Sequence, residues 1–236
     1  MRTARACLVT GYIRLDLPNR SHDEYERLGG QLLSAADVPA VVFTNCDRVK
    51  YRRHVSLSTV VLDASVKDCW HYHLSAGAEL PLGNPGKDTR EFHAIQHQKT
   101  AWVADAAKIT DADVLVWMDF GLLHVPGITA DMVPAFLERA AASAPRDRVG
   151  MASIWGPPRR IPDWRSVEWW CAGGVFTVPR SMAFAWHDAV VDRATAIRAA
   201  GHVTWEVNTW ATAWASWNVV RPWMCDHNET ILEAGP

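Results

Sequence analysis

Val114 to Val125, VLVWMDFGLLHV, is the stretch whose reading decides the fold. Val114 to Met118 are apolar without a breaker, which suits a strand buried on both faces of a parallel sheet. Asp119 follows at once, so a carboxylate is delivered to the carboxyl edge of that sheet, where ligands of open α/β sheets bind. Gly121 leaves room there for a phosphate, sugar or metal to approach the backbone. An Asp-containing turn after a strand is the plainer reading of the same residues.

The flanking sequence extends this into an alternation of strands and helices. Ala6 to Ile13 reads as a first strand, broken at Thr10-Gly11 where a loop into a helix would start. Ser21 or Asp23 caps a helix running to about Ser34. Ala40 to Thr44 and Ser58 to Asp63 are short, β-branched strands. Lys67 to Arg90 is irregular and rich in Gly and Pro, and a loop of that length in a compact domain is usually functional or mobile. Glu91 to Lys108 is a helix whose buried stripe is Ile95, Trp102, Val103 and Ala106, with Gln98 and Lys99 near its middle. After the Asp119 strand come a helix from Ile128 to Ala142, a strand from Val149 to Ile154 and a loop rich in Pro, Arg and Trp. Cys171 to Val178 reads as a strand entered through Gly173-Gly174. Arg180 to Ala200 is a helix ending at Gly201. Thr204 to Trp217 is another, with Trp210, Trp214 and Trp217 on one face, and a last strand spans Val219 to Met224. This order predicts an α/β fold with a mostly parallel central sheet flanked by helices.

At 236 residues the chain suits one domain, and no linker divides it. A net charge of -2 gives no overall basic field, so binding to nucleic acid or to an acidic membrane would need a local patch. The five cysteines lack the CxxC spacing of zinc or redox sites and read as reduced thiols of a cytosolic protein. No stretch approaches the roughly 20 apolar residues of a membrane span, so a role at a membrane would be one of peripheral docking.

Ten of the thirteen tryptophans lie from Trp155 onward. Trp210, Trp214 and Trp217 at helical spacing are expected in the core. Trp155, Trp164, Trp169 and Trp170 sit in the Pro/Arg loop and are candidates for a wall that stacks on sugar faces. Two lookalikes are set aside. Asp119-Phe120-Gly121 spells a kinase motif without its glycine-rich loop or catalytic loop. His71/His73 and His93/His97 have spacings that arise easily among ten histidines, and they lack the remaining features of zinc sites.

Taken together, Thr10-Gly11-Tyr12, VVFTN on the second strand, the Lys-bearing helix before VWMDFG, the Gly-Gly-Val-Phe strand and a late His-Asn segment resemble the GT-A class of nucleotide-sugar glycosyltransferases. Within it the chain is similar to the bacterial HtrL/YibB-like family, which carries a related Trp-hydrophobic-Asp-x-Gly strand end. The resemblance implies a GT-A-like (Rossmann-like) single domain over 1–236, with 1–125 as the nucleotide-sugar-binding half and 126–236 as a Trp-rich acceptor-side half. It implies transfer from a nucleotide diphosphate sugar, such as a UDP-sugar, to a glycan or glycolipid acceptor met in the cytoplasm. Mn²⁺ or Mg²⁺ would be held by Asp119 and His227. Gly121 stands where the class has its second Asp, which leaves a sparse protein ligand set that phosphates and water would complete.

The same resemblance places the nucleoside at Thr10, Gly11 and Asn45 and the diphosphate at Arg52 and Lys99, with Asp119 and Gly121 on the donor. Glu206, about one turn before Trp210, is the expected base, with Asp163 and Glu168 as lesser candidates, and Gly173-Gly174 admits the acceptor. Two alternatives remain open. Arg159, Arg160 and Arg165 interleaved with Trp155 and Trp164 suit a modified base in DNA as acceptor. Gly121 also suits a binding module of GT-A shape that has lost catalysis.

Overall fold

The apolar runs that mark strands in the sequence hydrogen-bond into one seven-stranded sheet in the computed structural model, which describes residues 4–15, 21–47, 51, 58–81, 83–84, 87–226 and 230–236. The strands are β1 (Ala6–Tyr12), β2 (Ala40–Thr44), β3 (Thr59–Asp63), β4 (Val114–Met118), β5 (Val149–Ser153), β6 (Val175–Pro179) and β7 (Val220–Met224). Their order across the sheet is β3-β2-β1-β4-β6-β5-β7. All run parallel except β6, which is antiparallel to both β4 and β5. This is the mostly parallel α/β sheet flanked by helices that the sequence predicts, and strands from both halves of the chain share it.

Side-chain alternation along β4 divides the core in two. Leu115 and Trp117 point to the face covered by α3 (Arg90–Ile109), α5 (Ala183–Ala199) and α6 (Glu206–Ser216). Val114, Val116 and Met118 point to the face covered by α1 (His22–Ala35), α4 (Met132–Ser143) and α7 (Ile231–Ala234). The Ser21 hydroxyl caps α1 by accepting the Glu24 N–H, and Thr89 caps α3 through the Phe92 N–H. Gly201 ends α5 with φ at 89°, as its sequence position predicts.

Four local expectations are corrected. Thr10-Gly11 does not break β1, which continues to Tyr12, because the missing side chain of Gly11 makes room for a neighbour and not for a turn. A Cβ there would lie 2.5 Å from the Trp102 ring. The region after Lys67 contains a short helix, α2 (Trp70–Leu74), that buries His71. Cys171 to Gly174 turn ahead of β6 and are not part of it. Of the Trp210 face, Trp210 and Trp214 are core as expected, whereas Trp217 is 37% exposed because it caps the end of α6.

The room left by Gly11 seats an aromatic row on the α3 face. Phe43 stacks on Trp102, Trp102 on Trp117 and Trp117 on Phe176, and Phe176 meets Trp210 edge-on, with centroids 5.0–6.2 Å apart. At about 25 cal/mol per Å² and 150–250 Å² per ring, each contributes roughly 4–6 kcal/mol of burial before entropy is counted. The row fixes Trp117, and thereby the position of the residue two places further on. Among the described residues no helix is long and apolar enough to cross a membrane.

Candidate functional site

Asp119 leaves β4 on the same side as Trp117, and the Trp117 indole N–H donates to its Oδ1 at 2.8 Å. The Asp119 backbone N–H donates to the Gly174 carbonyl at 2.9 Å, tying the end of β4 to the turn before β6. This turn lies at the carboxyl edge because β6 runs the opposite way to its neighbours.

Lys99 comes down onto this corner from α3. It lies four residues after Ile95 and three before Trp102, inside the apolar stripe, and its side chain is 2% exposed. Its ammonium donates to Asp119 (3.0 Å to Oδ1, 3.3 Å to Oδ2), to the Gly173 carbonyl at 2.9 Å and to Glu206 Oε1 at 3.4 Å. Burial opposes its charge, but Asp119 and Glu206 outweigh burial and hold its pKa above the ordinary lysine value. Glu206 is the first residue of α6, and a Cβ on Gly173 would stand 2.5 Å from its carboxylate, so a glycine at 173 lets Glu206 close on the lysine. The Glu206 side chain is 9% exposed and that of Asp119 35%, so Asp119 is the carboxylate presented to solvent.

The structure therefore gathers Asp119, Lys99, Glu206, Gly173 and Gly174 into one site. The expected pairing of Lys99 with a diphosphate is not what it finds: an ammonium has three N–H donors, and here all three face protein acceptors in a buried position. Nor do Gly173 and Gly174 form an open path, since they face Glu206 and Asp119. Thr10 is wholly buried in β1, Gly11 packs under Trp102, and Gly121 precedes a 3-10 turn. Asn45 clamps the backbone of Arg14, accepting its N–H at 2.8 Å and donating to its carbonyl at 3.4 Å. Arg52 and His227 lie outside the described residues.

The Trp/Arg loop is tied together internally. The Glu168 carboxylate accepts from Arg160, from the Asp163 N–H and from the Trp170 indole at 2.7–3.0 Å. This removes Arg160 from a basic patch, makes Glu168 a poor base and places Trp170 in the core. Trp164 tilts against His202 and Trp169 is half-buried, while Trp155 is 48% exposed with the edge of Trp170 against it. Of the histidine pairs, His71, His93 and His97 are core and His73 is exposed: His71 stacks on His97 at 3.7 Å, and burial lowers the pKa of His71 and His93 and pushes that of His97 down to about 3.

The described donors do not fit a divalent cation. Among the described residues no three His, Cys, Asp or Glu side chains gather around a point. A cation on Asp119 Oδ2 would have to share a carboxylate that the Lys99 ammonium already neutralises from both oxygens.

No protein-family model and no curated protein sequence matches the chain. Among solved structures it is similar in shape to CMP:2-keto-3-deoxy-manno-octonic acid synthetase complexed with CTP, at 11% identity, 95% of this chain and 91% of the other covered, and a TM-score of 0.48. That likeness concerns shape and carries nothing about activity.

Proposed function

We propose that the protein transfers a sugar from a nucleotide diphosphate sugar to a glycan or glycolipid acceptor. The observation that carries the reading is the pre-oriented, solvent-facing carboxylate of Asp119 at the point where strand order reverses between β1 and β4. Such reversals open a crevice at the carboxyl ends of open α/β sheets. In this reading Asp119 accepts a hydrogen bond from a hydroxyl of the donor, and Lys99 and Glu206 hold Asp119 in place from below. The acceptor oxygen bonds to the anomeric carbon as the bond from that carbon to the phosphate oxygen breaks. The electron pair leaves with the nucleoside diphosphate, and the acceptor's proton passes to a phosphate oxygen of that group.

The indole of Trp155 supports an acceptor on the β5 side. It follows the end of β5, two strand spacings or about 10 Å across from β4, and offers an apolar plane suited to a pyranose face. The acceptor would be met in the cytoplasm.

The test combines thermal stabilisation by a panel of nucleotides, nucleoside triphosphates and nucleotide sugars with an assay for nucleoside diphosphate release. A shift for one nucleotide sugar, lost in Asp119→Ala, with slow release of the diphosphate, is expected. Pyrophosphate released from a triphosphate and a free sugar would instead mean nucleotidyl transfer. Binding without turnover would favour a module, and no shift with any nucleotide would overturn the reading.

A further inference from the structure

We infer that the donor is held at this edge without a divalent cation, with Arg14 as the cation that receives the diphosphate and Asp119 as acceptor for a hydroxyl of the same molecule. The inference rests on the nucleotide-sugar reading and differs from what the resemblance implies, which is a metal between Asp119 and the phosphates.

Two observations lead to it. The first is that the positive charge a metal would bring to Asp119 is already there, built into the chain. Lys99 contacts both Asp119 oxygens, and the Trp117 indole occupies Oδ1 as well, so the free valence left on the carboxylate is mainly at Oδ2. An oxygen held in this way is suited to receiving an O–H, a neutral donor that no neighbouring ammonium repels. A dication at the same place meets that ammonium directly.

The second concerns the other side of the crevice. The β1–β4 ladder pairs Val9 with Trp117, so its continuation sets Gly11 level with Asp119. Arg14 comes three residues later, at most about 10 Å further along the chain. Asn45, at the end of β2, holds the Arg14 backbone through both its N–H and its carbonyl, while the residue itself is exposed. An arginine whose backbone is fixed thus stands on one wall, its forked guanidinium reaching out on an exposed side chain, and a fixed carboxylate stands on the other. Their ligand must carry an anionic group and hydroxyls within one molecule. Arg suits paired phosphate oxygens because its planar fork meets two of them at once. In this arrangement Arg14, and not Lys99, neutralises the charge that develops on the leaving diphosphate. Asn45, expected on the nucleoside, becomes a positioning residue for Arg14.

The experiment is binding of the responsive nucleotide sugar, by calorimetry and thermal shift, to the full chain in excess EDTA and in Mn²⁺ or Mg²⁺. It is repeated with Arg14→Gln, Arg14→Lys and Asp119→Asn, each checked for an unchanged melting curve without ligand. Equal affinity with and without metal is expected. Arg14→Gln should weaken binding about 10- to 100-fold, the loss of a charge-assisted contact, and flatten its salt dependence, while Arg14→Lys keeps part of both. Asp119→Asn should weaken a nucleotide sugar more than inorganic pyrophosphate, which has no sugar hydroxyls. Binding that needs Mn²⁺ or Mg²⁺, or that is indifferent to Arg14→Gln, overturns this inference and leaves the nucleotide-sugar reading standing. Failure of every nucleotide to bind overturns both.

Discussion

Replacing Lys99 by methionine keeps most of the apolar stem of the side chain and removes its ammonium. What remains is a Glu206 carboxylate with 9% of its side chain exposed, a Gly173 carbonyl without its donor, and an Asp119 carboxylate that water can reach. Breaking a buried ion pair from one side costs about 3–5 kcal/mol, and because Asp119 can rehydrate, the lower end is expected here, about 3 kcal/mol. In a chain of this size each kcal/mol moves the melting temperature by about 2–4 °C, so the midpoint should fall by about 6–12 °C.

The loss should also depend on pH in a defined direction. An unpaired, buried carboxylate keeps its proton in the folded variant at pH values where the unfolded chain has released it, above about 4.3. The folded variant then binds more protons than the unfolded chain, and its stability falls as pH rises. The deficit against the native protein should therefore widen between pH 5.5 and 8. In the native protein the raised Lys99 pKa contributes stability that is fully present below the ordinary lysine value, about 10.4, and is lost only as pH rises past it. Denaturant unfolding of both proteins at both pH values, with Lys99→Met/Glu206→Gln as a second variant, is the assay. A deficit under about 1 kcal/mol, one that does not change with pH, or a double variant no better than the single one would refute the reasoning.

Acid should destabilise the native protein through its buried histidines. His97, lowered to about 3 by burial, and His71 and His93, also lowered, are neutral when folded and take up protons only on unfolding. Their stabilisation is lost as pH falls below about 6.5, by up to about 1.4 kcal/mol each at pH 5.5, and His71→Phe should reduce the acid slope by about one proton. Gly29→Ala should destabilise although alanine favours helix by about 1 kcal/mol. The new Cβ would lie 2.0 Å from the Phe120 ring, which is buried and stacked on Tyr12, and overpacking of this kind costs about 1–3 kcal/mol. Because Phe120 follows Asp119, donor affinity should fall together with the melting temperature.

The sequence made the strands legible wherever a short apolar run had clear ends, as with Ala40–Thr44 and Val114–Met118, and it made Asp119 legible as a carboxylate at a sheet edge. The direction of β6 was not legible, since an apolar pentapeptide reads the same in a parallel or an antiparallel strand. Gly11 was misread because a glycine that opens a turn and one that clears an indole look alike until the partner, 91 residues away, is known. Lys99 was assigned to the diphosphate although a signal for a buried partner was present: it falls within the Ile95–Trp102–Ala106 stripe, where a charge must be paired. Its partners lie on β4, the turn before β6 and α6, and long-range contacts of that kind leave no local trace. Arg14 drew no attention for a similar reason, since Asn45, the residue that fixes it, belongs to another strand.

The reversed strand β6 also governs when the candidate site is completed during synthesis of the chain. Gly173 lies 74 residues beyond Lys99 and Glu206 lies 107 beyond it. A nascent chain that has reached the end of β4 therefore holds Lys99 with Asp119 alone. It also presents the backbone of Val114–Met118 as an open sheet edge, a template for unwanted pairing. Arrival of β6 and α6 closes the edge and completes the charge cluster in the same event. Protection from self-association and completion of the charge cluster are thus acquired together, late, and from one segment of the chain.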